Sequence, residues 1–257
     1  MTLKALIFDV DGTIANTERD AHLFAFNQAF DEMGIDWNWS DELYHKLLEV
    51  TGGKERIKHY IVDFVPDFDF SPFADSIVDF AIKLHAKKTQ NFIDIINKGK
   101  LPLRVGVENI FNEAKNSGLR LAIATTTTLA NVEAIIINAL GKEWLDNFEV
   151  IGAGDVVKNK KPAGDIYSLV LDKMNLSADE AIVFEDSENG IRSATDAGLK
   201  SIITINEYTK EHSFTNALVV LDSLGDENSP FNKIAGKDTK HSFVSVEYLQ
   251  ELYAENF

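Results

Sequence analysis

Leu3-Lys4-Ala5-Leu6-Ile7-Phe8-Asp9-Val10-Asp11-Gly12-Thr13 is the stretch whose reading decides the fold. The apolar run 5–8 shows no polar alternation, the pattern of a strand covered on both faces in a parallel sheet. Such sheets bind ligands at the carboxyl ends of their strands. Asp9 and Asp11 stand at this end, spaced i and i+2, and an extended chain aims such a pair at one side. Gly12 permits a sharp departure of the chain or close approach by a ligand. Taken alone, the stretch also reads as an Asp-Gly turn between strands; the later strand ends decide between the two.

Outward from this strand the pattern divides. From about residue 17 to 99 helix-period segments follow one another without a convincing strand. Segment 21–33 carries Leu23, Phe24, Phe26, Ala29 and Phe30; Ser40 with Asp41 and Glu42 caps 43–50; and 54–64 follows Gly52-Gly53. Ser71-Pro72 is expected to open a long helix with the stripe Phe73, Ile77, Ala81, Leu84, Phe92 and Ile96, roughly 38 Å at ~1.5 Å per residue. From Val107 on, strands (119–124, 149–152, 181–184, 201–204, 218–221) alternate with helices (108–116, 129–139, 166–174, 190–197), which implies βαβ units. A last helix is expected over 244–253. Ser177 and Glu180 match a capping box but precede a strand, so no helix is expected there. The fold class is therefore α/β, a doubly wound parallel sheet formed by 1–15 and 101–257, with a helical cap, 16–100, inserted after the first strand.

Composition narrows the function. The chain has 257 residues, no cysteine and a net charge of −16. Disulfide and thiolate chemistry are excluded, and nucleic acid or an anionic membrane is a poor partner for so acidic a surface. No run approaches the ~18 apolar residues of a membrane span. Met1-Thr2-Leu3-Lys4 leads straight into the first strand and does not read as a cleaved signal. A cytoplasmic monomer acting on a small molecule is expected. An anionic substrate would need local cations.

Three later strand ends offer complementary groups. Strand 119–124 runs into four threonines beginning with Thr125 and Thr126, where hydroxyls and backbone N–H groups suit a phosphoryl oxygen. The basic stretch 158–161 ends in Lys161-Pro162, proline holding the preceding residue extended. Strand 181–184 ends in Glu185-Asp186, and two acids at a buried strand end are costly unless paired or metal-bound.

This order, Asp-x-Asp-Gly-Thr, then Thr125, then Lys161-Pro162, then Glu185-Asp186, resembles the four motifs of the haloacid dehalogenase superfamily along the whole chain. The resemblance implies phosphoryl transfer through an aspartyl-phosphate with Mg²⁺. By that resemblance Asp9 is the nucleophile and Asp11 the general acid–base, protonated in the substrate complex. Thr125 and Lys161 hold phosphoryl oxygens. The Mg²⁺ ligands are the Asp9 carboxylate, the Asp11 backbone carbonyl, Asp186 and, directly or through water, Glu185. Asp11 argues against dehalogenation, since true dehalogenases lack it. The segments 17–27, 50–57, 101–107 and 185–190 look like the CbbY group, phosphatases of xylulose 1,5-bisphosphate related to β-phosphoglucomutase. A phosphosugar mutase and a catalytically silent phosphosugar-binding regulator stay open beside that reading.

The cap and linkers supply the remaining substrate-binding candidates. Lys54 and Arg56 follow Gly52-Gly53 and are expected at a second phosphate; Glu18 is expected at the mouth of the site, with Thr126 and Arg104 as further contacts. The mutase has a His four residues after its hinge Thr, whereas His22 lies five after Thr17. One residue turns a helical side chain by about 100°, so His22 is expected to face away from that position, as a helix histidine or a substrate contact.

Overall fold

The structure, a computed structural model, describes residues 2–99 and 101–257. Met1 and Lys100, the first core residue and the last cap residue as divided from the sequence, lie outside the described residues.

The opening run forms β1 (Ala5–Phe8), every residue of it buried. It pairs in parallel with β2 (Arg120–Thr125) on one side and β4 (Ala181–Glu185) on the other. β3 (Phe148–Ala153) flanks β2, while β5 (Lys200–Thr204) and β6 (Val219–Leu221) continue beyond β4. Among the described residues the order is β3-β2-β1-β4-β5-β6-β7. The last member, β7 (Lys233–Gly236), is antiparallel and was not expected. Its exposed Ile234-Ala235-Gly236 lacks the apolar signature of a covered strand. The sheet is thus parallel except at this edge.

Side-chain alternation along β1 builds a core on each face. Leu6 and Phe8 point to one, where Phe8 stacks on Phe184 (centroids 4.3 Å apart) and meets Phe111 edge-on at 4.9 Å. Ala5 and Ile7 point to the other, against Tyr167, Val170 and Met174.

Between β1 and residue 99 the described chain is helical: α1 (Leu23–Glu32), α2 (Asp41–Leu47), α3 (Gly53–Asp63) and α4 (Ile77–Lys98). They close around an aromatic core of Phe26, Phe30, Trp39, Tyr44, Tyr60 and Phe80. The remaining helices, α5 (Val107–Ser117), α6 (Leu129–Leu140), α7 (Asp165–Met174), α8 (Glu188–Asp196) and α9 (Val246–Asn256), accompany the sheet.

Two local expectations change. α4 starts at Ile77, not at Ser71-Pro72, because Ser76 is the working cap: its side chain accepts from the Asp79 N–H at 3.1 Å. Its 22 residues span about 33 Å. The Ser177/Glu180 capping box does form, around a single 3₁₀ turn, Ala178–Glu180, that leads into β4.

Candidate active site

The carboxyl ends of β1, β2 and β4 converge because β1 pairs with both neighbours. Asp9, one residue past β1, is buried; Thr125 ends β2; Glu185 ends β4 with Asp186 next. Lys161 reaches this corner from the loop between β3 and α7. Its Nζ donates to Asp9 Oδ1 at 2.7 Å, Glu185 Oε1 at 2.6 Å and the Ala124 carbonyl at 2.9 Å. Tyr167 Oη also donates to Glu185 Oε1, at 2.6 Å. Gly190 lets Glu185 lie here, since a Cβ at that position would come within 2.0 Å of its carboxyl carbon.

Oxygens of Asp9, Glu185 and Asp186 lie within 4.8 Å of one another. Burial pushes Asp9 up to about 7, against the Lys161 ammonium and with help from Glu185 and Asp11. Asp186 is likewise raised, by burial and then by Glu185 and Asp9. Lys161 stays above its usual value because Asp9 and Glu185 outweigh its burial. Three carboxylates against one ammonium leave a net negative corner of oxygen donors, which suits a hard divalent cation.

Asp11 behaves differently. Its Oδ1 accepts from Thr17 Oγ1 at 2.6 Å and from His22 Nε2 at 2.9 Å. Burial favours its protonation, but His22, Thr17 and Lys88 together hold it below the usual carboxylate range. The acid expected to carry a proton with substrate is therefore held ionised here. Its carboxylate groups with Glu18 and His22, apart from the Asp9, Glu185 and Asp186 oxygens.

His22 corrects the sequence reading. Residues Glu18–His22 form a π-helical turn before α1. A π turn accommodates one extra residue, which cancels the one-residue shift and brings the imidazole onto Asp11. Behind it, Lys88 Nζ lies 2.5 Å from His22 Nδ1. The ammonium only donates, so Nδ1 accepts and Nε2 carries the hydrogen given to Asp11. Lys88 is buried beside the rings of Phe26 and Phe92, and burial lowers it to about 8 although Asp11 and Glu18 pull it back.

A cavity of about 480 Å³ lies between this corner and the helices of residues 17–98. Its wall includes Asp9, Asp11, Glu18, Arg56, Thr125, Thr126, Lys161 and Asp186. Glu18 accepts from Tyr44 Oη at 2.5 Å. Arg56 is anchored from behind, Nε on the Leu47 carbonyl (3.1 Å) and one terminal nitrogen on Tyr44 Oη (2.9 Å). His45, Lys46 and His212, not anticipated, line it too.

Three expected contacts are not in this wall, His22 among them, since it sits behind Asp11. Lys54 pairs with Asp155, which also holds Lys160 at 2.9 Å; Lys160 in turn holds Glu55 at 2.9 Å. These charges clamp α3 to the loop after β3. Arg104 spreads its guanidinium over the carbonyls of Gly12, Thr204 (2.9 Å), Ile205 (2.6 Å) and Asp222 (2.7 Å), so it ties loops together and has little left for a substrate. Lys88 and Asn206 were missed. Leu84, Lys88 and Phe92 are spaced i, i+4, i+8, so a lysine breaking the apolar stripe was the available signal. Asn206, just past β5, followed the strand-end rule that found the others.

The family model of the haloacid dehalogenase-like hydrolases matches residues 6–204. The CbbY protein of Rhodobacter capsulatus is 48% identical over 218 residues, covering 84% of this chain and 92% of its own. The plasmid-borne CbbY of Cupriavidus necator is 43% identical over 228 residues, covering 89% and 88%. A crystal structure of a substituted CbbY from Rhodobacter sphaeroides in complex with xylulose-(1,5)-bisphosphate superposes with a TM-score of 0.80 at 40% identity, over 86% of this chain and 95% of that one. The chain belongs to the haloacid dehalogenase-like hydrolases, in their CbbY-like branch, and its enzyme class is phosphatase. Among the described residues no helix is long and apolar enough to cross a membrane.

Proposed function

We propose that this chain is a Mg²⁺-dependent phosphatase of small sugar phosphates, with xylulose 1,5-bisphosphate as substrate, and that it acts through an aspartyl-phosphate on Asp9. The observation that carries the reading is the convergence of Asp9, Thr125, Lys161, Glu185 and Asp186 at neighbouring strand ends beneath one cavity. The crystallised relative that holds xylulose-(1,5)-bisphosphate supports the substrate.

Asp9 attacks phosphorus and the sugar alkoxide leaves; water then attacks the aspartyl-phosphate and frees Asp9 and phosphate. Asp11 gives a proton to the leaving oxygen and takes one from the water. His22 and Lys88 stand in line behind Asp11 and can resupply that proton. Lys161, with Thr125 and Thr126, offsets charge on the phosphoryl oxygens. Asp9, Asp186 and the Asp11 carbonyl would hold Mg²⁺, which when bound neutralises phosphoryl charge; Glu185 mainly fixes Lys161. Residues 16–100 serve as the cap that excludes water, held down by the Lys54, Asp155, Lys160 and Glu55 charges.

The His22–Asp11 contact also favours the mutase as a second reading, since it removes the rotational objection to a shuttle histidine. Incubation with a panel of sugar monophosphates and bisphosphates separates the two. A phosphatase releases phosphate, fastest from the pentulose bisphosphate and with a need for Mg²⁺. A mutase returns an isomerised sugar phosphate instead. Binding with neither product would leave only the regulator.

Arg56 carries the choice of a bisphosphate. Its other terminal nitrogen makes only a 3.5 Å contact to the Val50 carbonyl, and the cavity that Arg56 lines has no other buried cation besides Lys161 among its described lining residues. A hydrogen bond to a charged group contributes ~1.5–3 kcal/mol. Arg56→Ala should therefore lower kcat/KM for xylulose 1,5-bisphosphate roughly 10- to 150-fold, and much less for a monophosphate of similar size. Equal losses on both substrates would refute the bisphosphate assignment.

A further inference from the structure

The turn after β5 touches the acidic corner and the cap at once. Asn206 uses both ends of its amide. Nδ2 donates to Asp186 Oδ2 at 2.6 Å, and Oδ1 accepts from the Tyr208 backbone N–H at 2.9 Å. The second bond fixes the amide's sense, because an N–H must face its oxygen. The Asn206 N–H is itself held by Thr209 Oγ1 at 3.0 Å. Gly12, at φ +85°, makes the room: a Cβ there would lie 2.2 Å from Asp186 Oδ2 and 2.6 Å from Asn206 Nδ2.

Among the described residues no other side chain donates to the Asp186 carboxylate, which is repelled by Glu185 and Asp9 and attracted, without a hydrogen bond, by Arg104. The same turn reaches the cap through Tyr208. Its hydroxyl donates to Asp41 Oδ1 at 2.5 Å, and its carbonyl accepts from His45 Nε2 at 3.0 Å, both partners lying on α2. Next to it, Arg19 clasps Glu207 at 2.9 and 3.1 Å.

We propose that Asn206 is a positioning residue: it sets the Asp186 carboxylate for the divalent cation and, through Tyr208, couples that setting to the docked cap. The inference rests on the reading of Asp186 as a cation ligand. Outer contacts of this kind typically change metal affinity ~10- to 100-fold when removed. Coupling is reciprocal, so cap docking and cation binding each favour the other.

Titration of the substrate-free full chain with Mn²⁺, read by electron paramagnetic resonance, tests it. Asn206→Ala should raise the Mn²⁺ Kd ~10- to 100-fold with an unchanged melting temperature; Asn206→Leu keeps the shape without the donor and serves if the alanine variant folds poorly. Tyr208→Phe removes only the hydroxyl on Asp41 and should raise Kd a few-fold. The double variant should bind no more weakly than Asn206→Ala, since both changes act through one amide. An unchanged Kd in the Asn206 variants overturns the positioning role, and full additivity overturns the coupling through Tyr208. A wild-type chain that holds no Mn²⁺ overturns the metal reading, and this inference with it.

Discussion

Asp9→Asn is expected to lose ~10⁴-fold or more in phosphate release, the scale on which removal of a nucleophile acts, while melting no lower than the wild type. The amide has the shape of the carboxylate but cannot form the phosphoryl ester. The fold should tolerate it, because Asp9 is a strained carboxylate. Burial raises it to about 7, and the Lys161 attraction only partly offsets this. With asparagine in place Lys161 keeps Glu185 Oε1 at 2.6 Å and the Ala124 carbonyl at 2.9 Å, and one of three crowded negative charges is gone. Steady-state phosphate release and a thermal melt on the same preparation are the measurements. A variant that turns over near the wild-type rate would remove Asp9 as nucleophile. One that is inactive only because it is unfolded would contradict the account of Asp9 as a strained group.

The parts of this site legible in the chain are those that a strand end announces. An apolar run that stops at a carboxylate, a threonine or an acid pair states both the element and the edge where the group emerges. Parallel pairing of β1 with β2 and β4 then brings Asp9, Thr125 and Asp186 together. Asn206 obeys the same rule one strand further on. The rest depended on information that spacing does not carry. His22 was misplaced because phase was counted at a constant helical turn, whereas the π turn over Glu18–His22 adds a residue locally. Lys54 and Arg56 lie two apart in one helix, yet their fates differ. Lys54 meets Asp155 across the gap between cap and core, and Arg56 turns inward onto Tyr44. That split follows from how α3 docks, a contact between segments about a hundred residues apart. Arg104 shows the same limit: four backbone carbonyls from distant loops gather around one guanidinium, and no local pattern marks them. The antiparallel β7 escaped because an exposed edge strand needs no apolar run.

Lys161→Met should fail in stability and in turnover together. The ammonium is buried and holds two carboxylates and a carbonyl within 2.9 Å. Methionine fills most of its volume with no charge, and leaves Asp9 and Glu185 facing each other without a cation. Breaking a buried pair in this way costs ~3–5 kcal/mol, which for a chain of this size lowers the melting temperature by about 6–20 °C. Loss of one charge-stabilising donor at the transition state costs a further ~10²–10³ in kcat. The effects are separable by adding Mg²⁺. If a divalent cation binds Asp9 and Asp186 as proposed, it would ease the crowding of negative charge, so it should raise the melting temperature of Lys161→Met more than that of the wild type, yet leave kcat low. Full recovery of turnover with Mg²⁺ would reduce Lys161 to a structural counter-ion. An unchanged melting temperature would mean that Asp9 and Glu185 shed their charge by taking up protons, and that the corner does not depend on its lysine.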